Sequence, residues 1–238
     1  MGEQFYLGPY ELGPGGENEG IYTGDARELA LAIPDESVDL IFTDPVYDRI
    51  DDYRWLAETA ARVLRPDSAC LIFYGIGYAP QTMQALIEEG LSFRWQMVHY
   101  MPGQNQRGAY RTFSNWKAML WMEKGTRHPN RHIRDLILDR SVRLLPSGVN
   151  HWWTKNADTV TYYLTAFCLS SAIVLDPFTG GGTVPAVCKM LGRRYLAFEI
   201  DPDTAGLARD RVRQTQPPLP GLALETQAAL KLMEDGNG

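Results

Sequence analysis

The chain has 238 residues, 45% of them hydrophobic, which suits one sizeable core with decorations better than two domains. A formal charge of −6 excludes bulk positive charge as the means of holding a polyanion, so the distribution of charge matters more than its sum. Three unclustered cysteines, Cys70, Cys168 and Cys188, argue against a disulfide framework or a zinc site and read as small buried hydrophobes.

The opening MGEQFYLGPY has neither a basic n-region nor a long apolar run, and no later stretch is apolar for long enough to cross a bilayer. A soluble, cytoplasmic protein without membrane contact is expected. Residues 1–20, rich in glycine with Pro9 and Pro14, are expected to be a flexible arm. Ile21-Tyr22-Thr23 reads as a short strand ending at Gly24-Asp25, followed by a short helix over Ala26–Ala32. The run Val38–Phe42 is apolar enough for a strand covered on both faces of a parallel sheet, and it delivers Asp44 at its carboxyl end. Helices are predicted over Asp52–Leu64 and Pro80–Glu89, with a strand at Ala69–Tyr74 between them.

Strands at Phe93–Met101 and Trp116–Met122 read as a hairpin across PGQNQRGAYRTFSN. That loop mixes charge with flat rings at Arg107, Tyr110, Arg111 and Phe113, a combination suited to backbone contact and base stacking. From Arg107 to Lys155 ten basic side chains face three acidic ones, a local +7 that leaves −13 for the remainder. Such a tract is either a local nucleic-acid face, with Arg131 and Arg134 among its members, or a solvated surface with surplus arginines. Another helix carries Val160, Tyr163, Leu164 and Phe167 at i, i+3, i+4, i+7 and is expected to pack on the sheet, and a final helix covers about Pro202–Arg213. A Pro-rich linker from residue 215 and an amphipathic tail, Leu222–Met233, close the chain.

The most informative stretch is Ala172–Asp201. Its apolar run Ile173-Val174-Leu175 stops at Asp176, Gly180-Gly181-Gly182 make a tight turn, and Thr183 is placed to cap a helix whose first turn accepts Pro185. A second apolar run then reaches Glu199, which lies 19 positions after Gly180, near the spacing at which an acid takes ribose hydroxyls. Strand, glycine turn, helix, strand is a nucleotide-binding βαβ unit.

Asp176-Pro177-Phe178-x-Gly180-x-Gly182-Thr183 resembles the S-adenosylmethionine motif of amino-methylating DNA methyltransferases, and Asp44-Pro45-Val46-Tyr47 resembles their catalytic D-P-P-Y motif. The catalytic-type motif comes first, which is the permuted, β-class order. The resemblance runs from about Ile21 to Val212 and implies a doubly wound, mostly parallel seven-stranded α/β sheet, Rossmann-like, with one reversed strand. It implies a methyltransferase domain over 21–214, with recognition inserts at about 102–114 and 125–150. By the same resemblance, Asp25, Lys155, Asp176, Phe178, Gly180, Gly182, Thr183 and Glu199 are candidate cofactor contacts. Lys155 belongs to His151-Trp152-Trp153-Thr154-Lys155-Asn156, which keeps the His and Lys of the family's H-P-T-Q-K-P motif and loses its Gln and last Pro.

The implied reaction is methyl transfer from S-adenosylmethionine to an exocyclic base amine of DNA, adenine N6 ahead of cytosine N4, on a base flipped from the duplex. Asp44 carboxylate and Pro45 carbonyl would accept from the two N–H bonds, and Tyr47 would stack on the base. Val46 departs from the family's second proline. RNA methylation and a binding subunit with weak turnover are the alternatives. No metal is called for, and a homodimer is compatible with the tail.

Overall fold

The computed structural model describes residues 4–101, 106–107, 111–138 and 157–216. A small hairpin, β1 (Tyr6–Leu7) with β2 (Tyr10–Glu11), precedes β3 (Ile21–Thr23). After α1 (Ala26–Leu29) and a 3₁₀ turn come β4 (Val38–Thr43), α2 (Ile50–Val63), β5 (Leu64–Tyr74), α3 (Ala79–Glu88) and β6 (Ser92–Tyr100). A second small hairpin, β7 (Gln106–Arg107) with β8 (Phe113–Ser114), leads to β9 (Trp116–Lys124) and β10 (Leu136–Leu138). The last elements are α4 (Ala157–Phe167), β11 (Ile173–Asp176), α5 (Thr183–Met190), β12 (Arg194–Glu199) and α6 (Pro202–Gln214).

Eight strands form the main sheet in the order β10-β6-β9-β5-β4-β11-β12-β3, and β9 alone runs against the rest. Seven strands were expected; the eighth, β10, lies in the basic stretch read as a recognition insert. Its three residues Leu-Ile-Leu pair in parallel with Val98, His99 and Tyr100 of β6. So short an apolar run among charged neighbours carries no periodicity of its own.

Period-two alternation explains why the central strands are apolar throughout. In β4, Ile41 faces a core with Cys70, Ile72 and Leu175, closed by Tyr53, Leu56 and Ala60 of α2 and Leu86 of α3. Leu40 and Phe42 face the opposite core with Leu71, Phe73 and Val174, closed by Tyr163 and Leu164 of α4, Val187 of α5 and Ala208 of α6. The sheet is thus wound on both faces. The three cysteines are buried and unpaired, and burial pushes the Cys168 thiol up to about 12.

The amino-terminal residues differ from the loose arm expected of their composition. Leu7, Tyr10 and Leu12 are buried, and Gly13 bridges Tyr195 of β12 through reciprocal backbone hydrogen bonds of 3.0 and 3.2 Å. The glycines here allow close approach rather than freedom: a Cβ on Gly13 would lie 2.2 Å from the Tyr195 ring, which is itself 1% exposed. Gly13→Ala should therefore cost about 1–3 kcal/mol as an overpacked core does, read as a lowered urea midpoint at constant m-value. An unchanged midpoint would mean that this segment is not docked.

Candidate active site

The sheet order brings the predicted residues to one edge. From one side to the other, the carboxyl ends of five adjacent parallel strands present Gly75 after β5, Asp44 after β4, Asp176 at the end of β11, Glu199 at the end of β12 and Asp25 after β3. Chain continuity reverses direction between β4 and β11. From β4 the chain crosses by α2 to β5 on one side, and from β11 by α5 to β12 on the other. Crevices form at such a switch point, outside the carboxyl ends of the strands.

One buried contact joins the two motifs. The Thr43 hydroxyl donates to Asp176 Oδ1 at 2.8 Å, linking the residue before Asp44 to the acid before the glycine turn. Asp176 is 3% exposed, and the same oxygen accepts from the Phe178 N–H at 3.4 Å. Its carboxylate thus braces the two loops from inside. Asp44 is half-buried, Pro45 buried and Val46 52% exposed, so the residue that departs from the family pattern turns outward. Tyr47 is partly buried against the core formed by Phe42 and Phe73, and its hydroxyl finds no well-aligned partner. Burial first, then the Asp44 charge and Tyr53, hold that hydroxyl far above its ordinary range.

The glycine turn divides its work among unlike residues. Gly180 has φ +51°, and a Cβ there would meet nothing within 4 Å, so space lies open above it. Gly182 serves packing instead: a Cβ would stand 2.9 Å from Ala208 Cβ, and its φ of +73° makes it the cap of α5. Thr183, expected as that cap, is the first helical residue. Its Oγ1 accepts from Arg211 at 2.8 Å, and the same guanidinium nitrogen donates to the Gly181 carbonyl at 3.1 Å. Glu199 accepts the Gly180 N–H at 2.9 Å on one oxygen and the Asp201 N–H at 3.0 Å on the other. A carboxylate offers about four acceptor sites, so both oxygens retain capacity for another donor. The Thr179 hydroxyl beside this turn is buried without a partner. Open space, an orphan hydroxyl and a partly engaged carboxylate fit a ligand carrying ribose hydroxyls.

Asp25 caps α1 by accepting from the Arg27 N–H at 2.8 Å. Phe178 meets the Trp55 ring edge-on at 5.6 Å, and Arg27, paired with Asp52 at 2.6 Å, lies 5.8 Å from the Trp55 centroid. Trp55, Thr43 and Arg211 were absent from the candidates read off the sequence. Trp55 reads as a large apolar residue flanking the buried stripe of α2, Thr43 looks like the end of a strand and Arg211 like one more surface arginine, so the sequence carries no signal for them.

The proposed nucleic-acid residues do not gather at one point. Arg107 pairs with Phe113 in the small hairpin between β6 and β9, Arg111 is exposed at its tip with φ +59°, and Phe113 is 71% exposed. This hairpin leaves and re-enters the sheet at the edge that bears Asp44. Arg131 and Arg134 lie elsewhere, on a segment tied along α4. Arg131 covers the Tyr162 ring at 4.5 Å, and the Arg134 N–H and carbonyl bond to the Tyr162 and Tyr163 hydroxyls at 2.8 and 3.0 Å. Tyr110 and Lys155, with the whole His151–Asn156 motif, lie outside the described residues.

A family model of N6/N4 type, described as DNA methylase, matches residues 38–210. The chain belongs to this family. Among curated relatives of this DNA methylase are the type II methyltransferases M.HinfI of Haemophilus influenzae and M.BamHI of Bacillus amyloliquefaciens. The first is 26% identical over 83% of this chain and 69% of its own length; the second is 27% identical over 76% and 54%. Among solved structures, the M1.HpyAVI–SAM complex superposes with a TM-score of 0.67 at 24% identity, covering 81% of this chain and 98% of that one. The cytosine-N4-specific PvuII DNA methyltransferase superposes at 0.69 with 17% identity, covering 80% and 85%. Among the described residues no cluster of metal-ligating side chains occurs, and no helix is long and apolar enough to cross a membrane.

Removing the Thr43 hydroxyl tests the brace. Thr43→Val removes one hydrogen bond to the buried Asp176 carboxylate and should cost about 1–3 kcal/mol in denaturant unfolding, whereas Thr43→Ser should recover most of that loss. Equal stability of the two variants would show that the bond does not hold the loops.

Proposed function

We propose that this DNA methylase transfers a methyl group from S-adenosylmethionine to an exocyclic amine of a base extruded from duplex DNA, with adenine N6 as the acceptor. The observation that carries the reading is the Thr43–Asp176 bond, which ties the Asp44 strand end to the glycine turn. Gly180 with its open space, Glu199, Asp25 and Phe178 would hold the cofactor; Lys155 is a further candidate. When bound, the cofactor would supply an electrophilic methyl group on a sulfonium, whose S–CH3 bonding pair would stay on sulfur as a neutral thioether leaving group.

The protein's own work is placement and electrostatics. An exocyclic amine is a poor nucleophile because its lone pair is delocalised into the ring. The Asp44 carboxylate and the Pro45 carbonyl accept from its two N–H bonds and favour the pyramidal form, whose lone pair is available. As the new N–C bond forms, the nitrogen sheds one proton toward Asp44. The Tyr47 ring stacks on the base, its hydroxyl kept neutral by burial. Arg107, Tyr110 and Arg111, on the loop at the same edge, would contact the duplex backbone near the extruded base, while Arg131 and Arg134 would reach DNA only beyond the outer strands. The support for adenine is the Asp at position 44, by family resemblance.

Methyl transfer from labelled S-adenosylmethionine to unmethylated plasmid DNA, followed by nucleoside analysis, is expected to yield N6-methyladenine. N4-methylcytosine would move the acceptor to cytosine, and cofactor binding without any transfer would leave a binding subunit. Asp44→Ala should lower transfer by at least about a hundredfold with cofactor affinity retained, since placement of the acceptor alone is lost. Equal loss of both would count against the assignment of Asp44.

The buried tyrosines give a pH test. Folding raises the Tyr47 hydroxyl pKa, so the neutral ring's contribution is complete below the unfolded value near 10 and is lost as pH rises past it. Tyr47→Phe should leave the pH–rate profile unmoved below pH ~10 and reduce the alkaline fall in stability by up to about 1.4 kcal/mol per pH unit. A shifted rate profile would instead make the Tyr47 hydroxyl a participant in proton transfer.

A further inference from the structure

Between Asp44 and the end of β5 lies a contact that no motif announces. Gly75 follows Tyr74, the last residue of β5, and has an ordinary extended backbone with φ −81° and ψ 123°. No left-handed conformation calls for glycine here. What calls for it is the neighbouring side chain: a Cβ on Gly75 would stand 2.9 Å from Tyr47 Cβ and 3.2 Å from both Cγ and Cδ2. Tyr47 Cβ is fixed to the backbone three residues after Asp44 and cannot swing away as the tip of a flexible side chain would.

Other constraints hold the ring in the same place. Tyr47 packs on the core that contains Phe42 and Phe73, and its hydroxyl is buried. β5 pairs in parallel with β4 up to Thr43 opposite Ile72, so Gly75 and the Asp44–Tyr47 loop leave adjacent strands side by side. The loop therefore rests on bare backbone, and its approach to β5 is set by the absence of one carbon atom.

We propose that Gly75 is a positioning residue for the methyl-transfer step, acting through Tyr47: its missing side chain is the space that sets the height and tilt of the ring on which the extruded base stacks. The proposal rests on the reading of the site given above. A methyl group at position 75 would lift Tyr47, and with it the Asp44–Tyr47 loop, by several tenths of an ångström or more. The glycine turn lies on the far side of β4 from β5, and Thr43, which anchors the brace to Asp176, precedes the displaced residues, so the turn is held apart from the change. Acceptor placement is thus separable from cofactor binding, and misplacement on this scale is costly to a transfer that depends on near-attack geometry.

The test is a cycle of Gly75→Ala, Tyr47→Gly and the double variant, the second change removing both the ring and the Cβ that an alanine would strike. Cofactor dissociation constants, thermal unfolding midpoints and turnover on unmethylated plasmid DNA are measured for each. Gly75→Ala is expected to keep its cofactor affinity and lose turnover by about tenfold or more, while in the Tyr47→Gly background the same change costs nothing further. Wild-type turnover in Gly75→Ala, or the same fold loss in both backgrounds, overturns the proposal. So does a loss of cofactor affinity that matches the loss of turnover, because the damage is then general.

Should Gly75→Ala fail to fold, the double variant decides: it must fold and match Tyr47→Gly in turnover, and if it fails either requirement the proposal falls. No transfer by the unaltered chain would sink the underlying reading, and this inference with it, before any variant is compared.

Discussion

A buried hydrogen bond from Thr43 to Asp176 links two segments 133 residues apart at the point where both loops leave the sheet. β4 and β11 are paired in parallel, with Leu40 opposite Val174 and Ile41 opposite Leu175, so their carboxyl ends emerge together. Parallel pairing alone sets those ends side by side at roughly 5 Å. The side-chain bond fixes how they leave the sheet. Its acceptor is almost fully buried, where an unmatched carboxylate would be costly, so donor and acceptor constrain each other. Both loops are built on rigid strands, the arrangement that precise placement of two reactants requires.

Around that strut the chain divides the work among unlike residues. Gly180 leaves space, Gly182 lets α5 meet α6, Arg211 anchors the turn from below, and Glu199 fixes it through the Gly180 N–H. Gly180 and Gly182, which look equivalent in sequence, answer to different constraints. The acid at the end of β12 likewise has two tasks, since it organises the turn and keeps acceptor capacity for a ligand.

The charge pattern separates in space what is contiguous in sequence. Among the described residues, the basic tract contributes to a hairpin at the carboxyl edge, to β9 and to a segment strapped along α4, where Arg131 lies over the Tyr162 ring. A cation over an aromatic ring is partly desolvated and directional, so it works as packing as much as charge.

The sequence by itself determined the alternation of elements, because both the period-two strands and the period-3.6 helices write their buried faces into adjacent residues. β4, α2, β6, α4, β11 and α6 fall within a few residues of where periodicity puts them. It also determined the motifs Asp44–Tyr47 and Asp176–Thr183, since their chemistry depends on local spacing. Tertiary structure alone decided that residues 4–20 dock, that Leu136–Leu138 add an eighth strand, and that Gly182 rather than Thr183 caps α5. It also decided that Thr43, Arg211 and Gly75 matter to the site. Each of these depends on a partner far along the chain — Tyr195, Val98, Ala208, Asp176, Thr183 and Tyr47 respectively — and a contact between distant residues leaves no period in the local sequence to read.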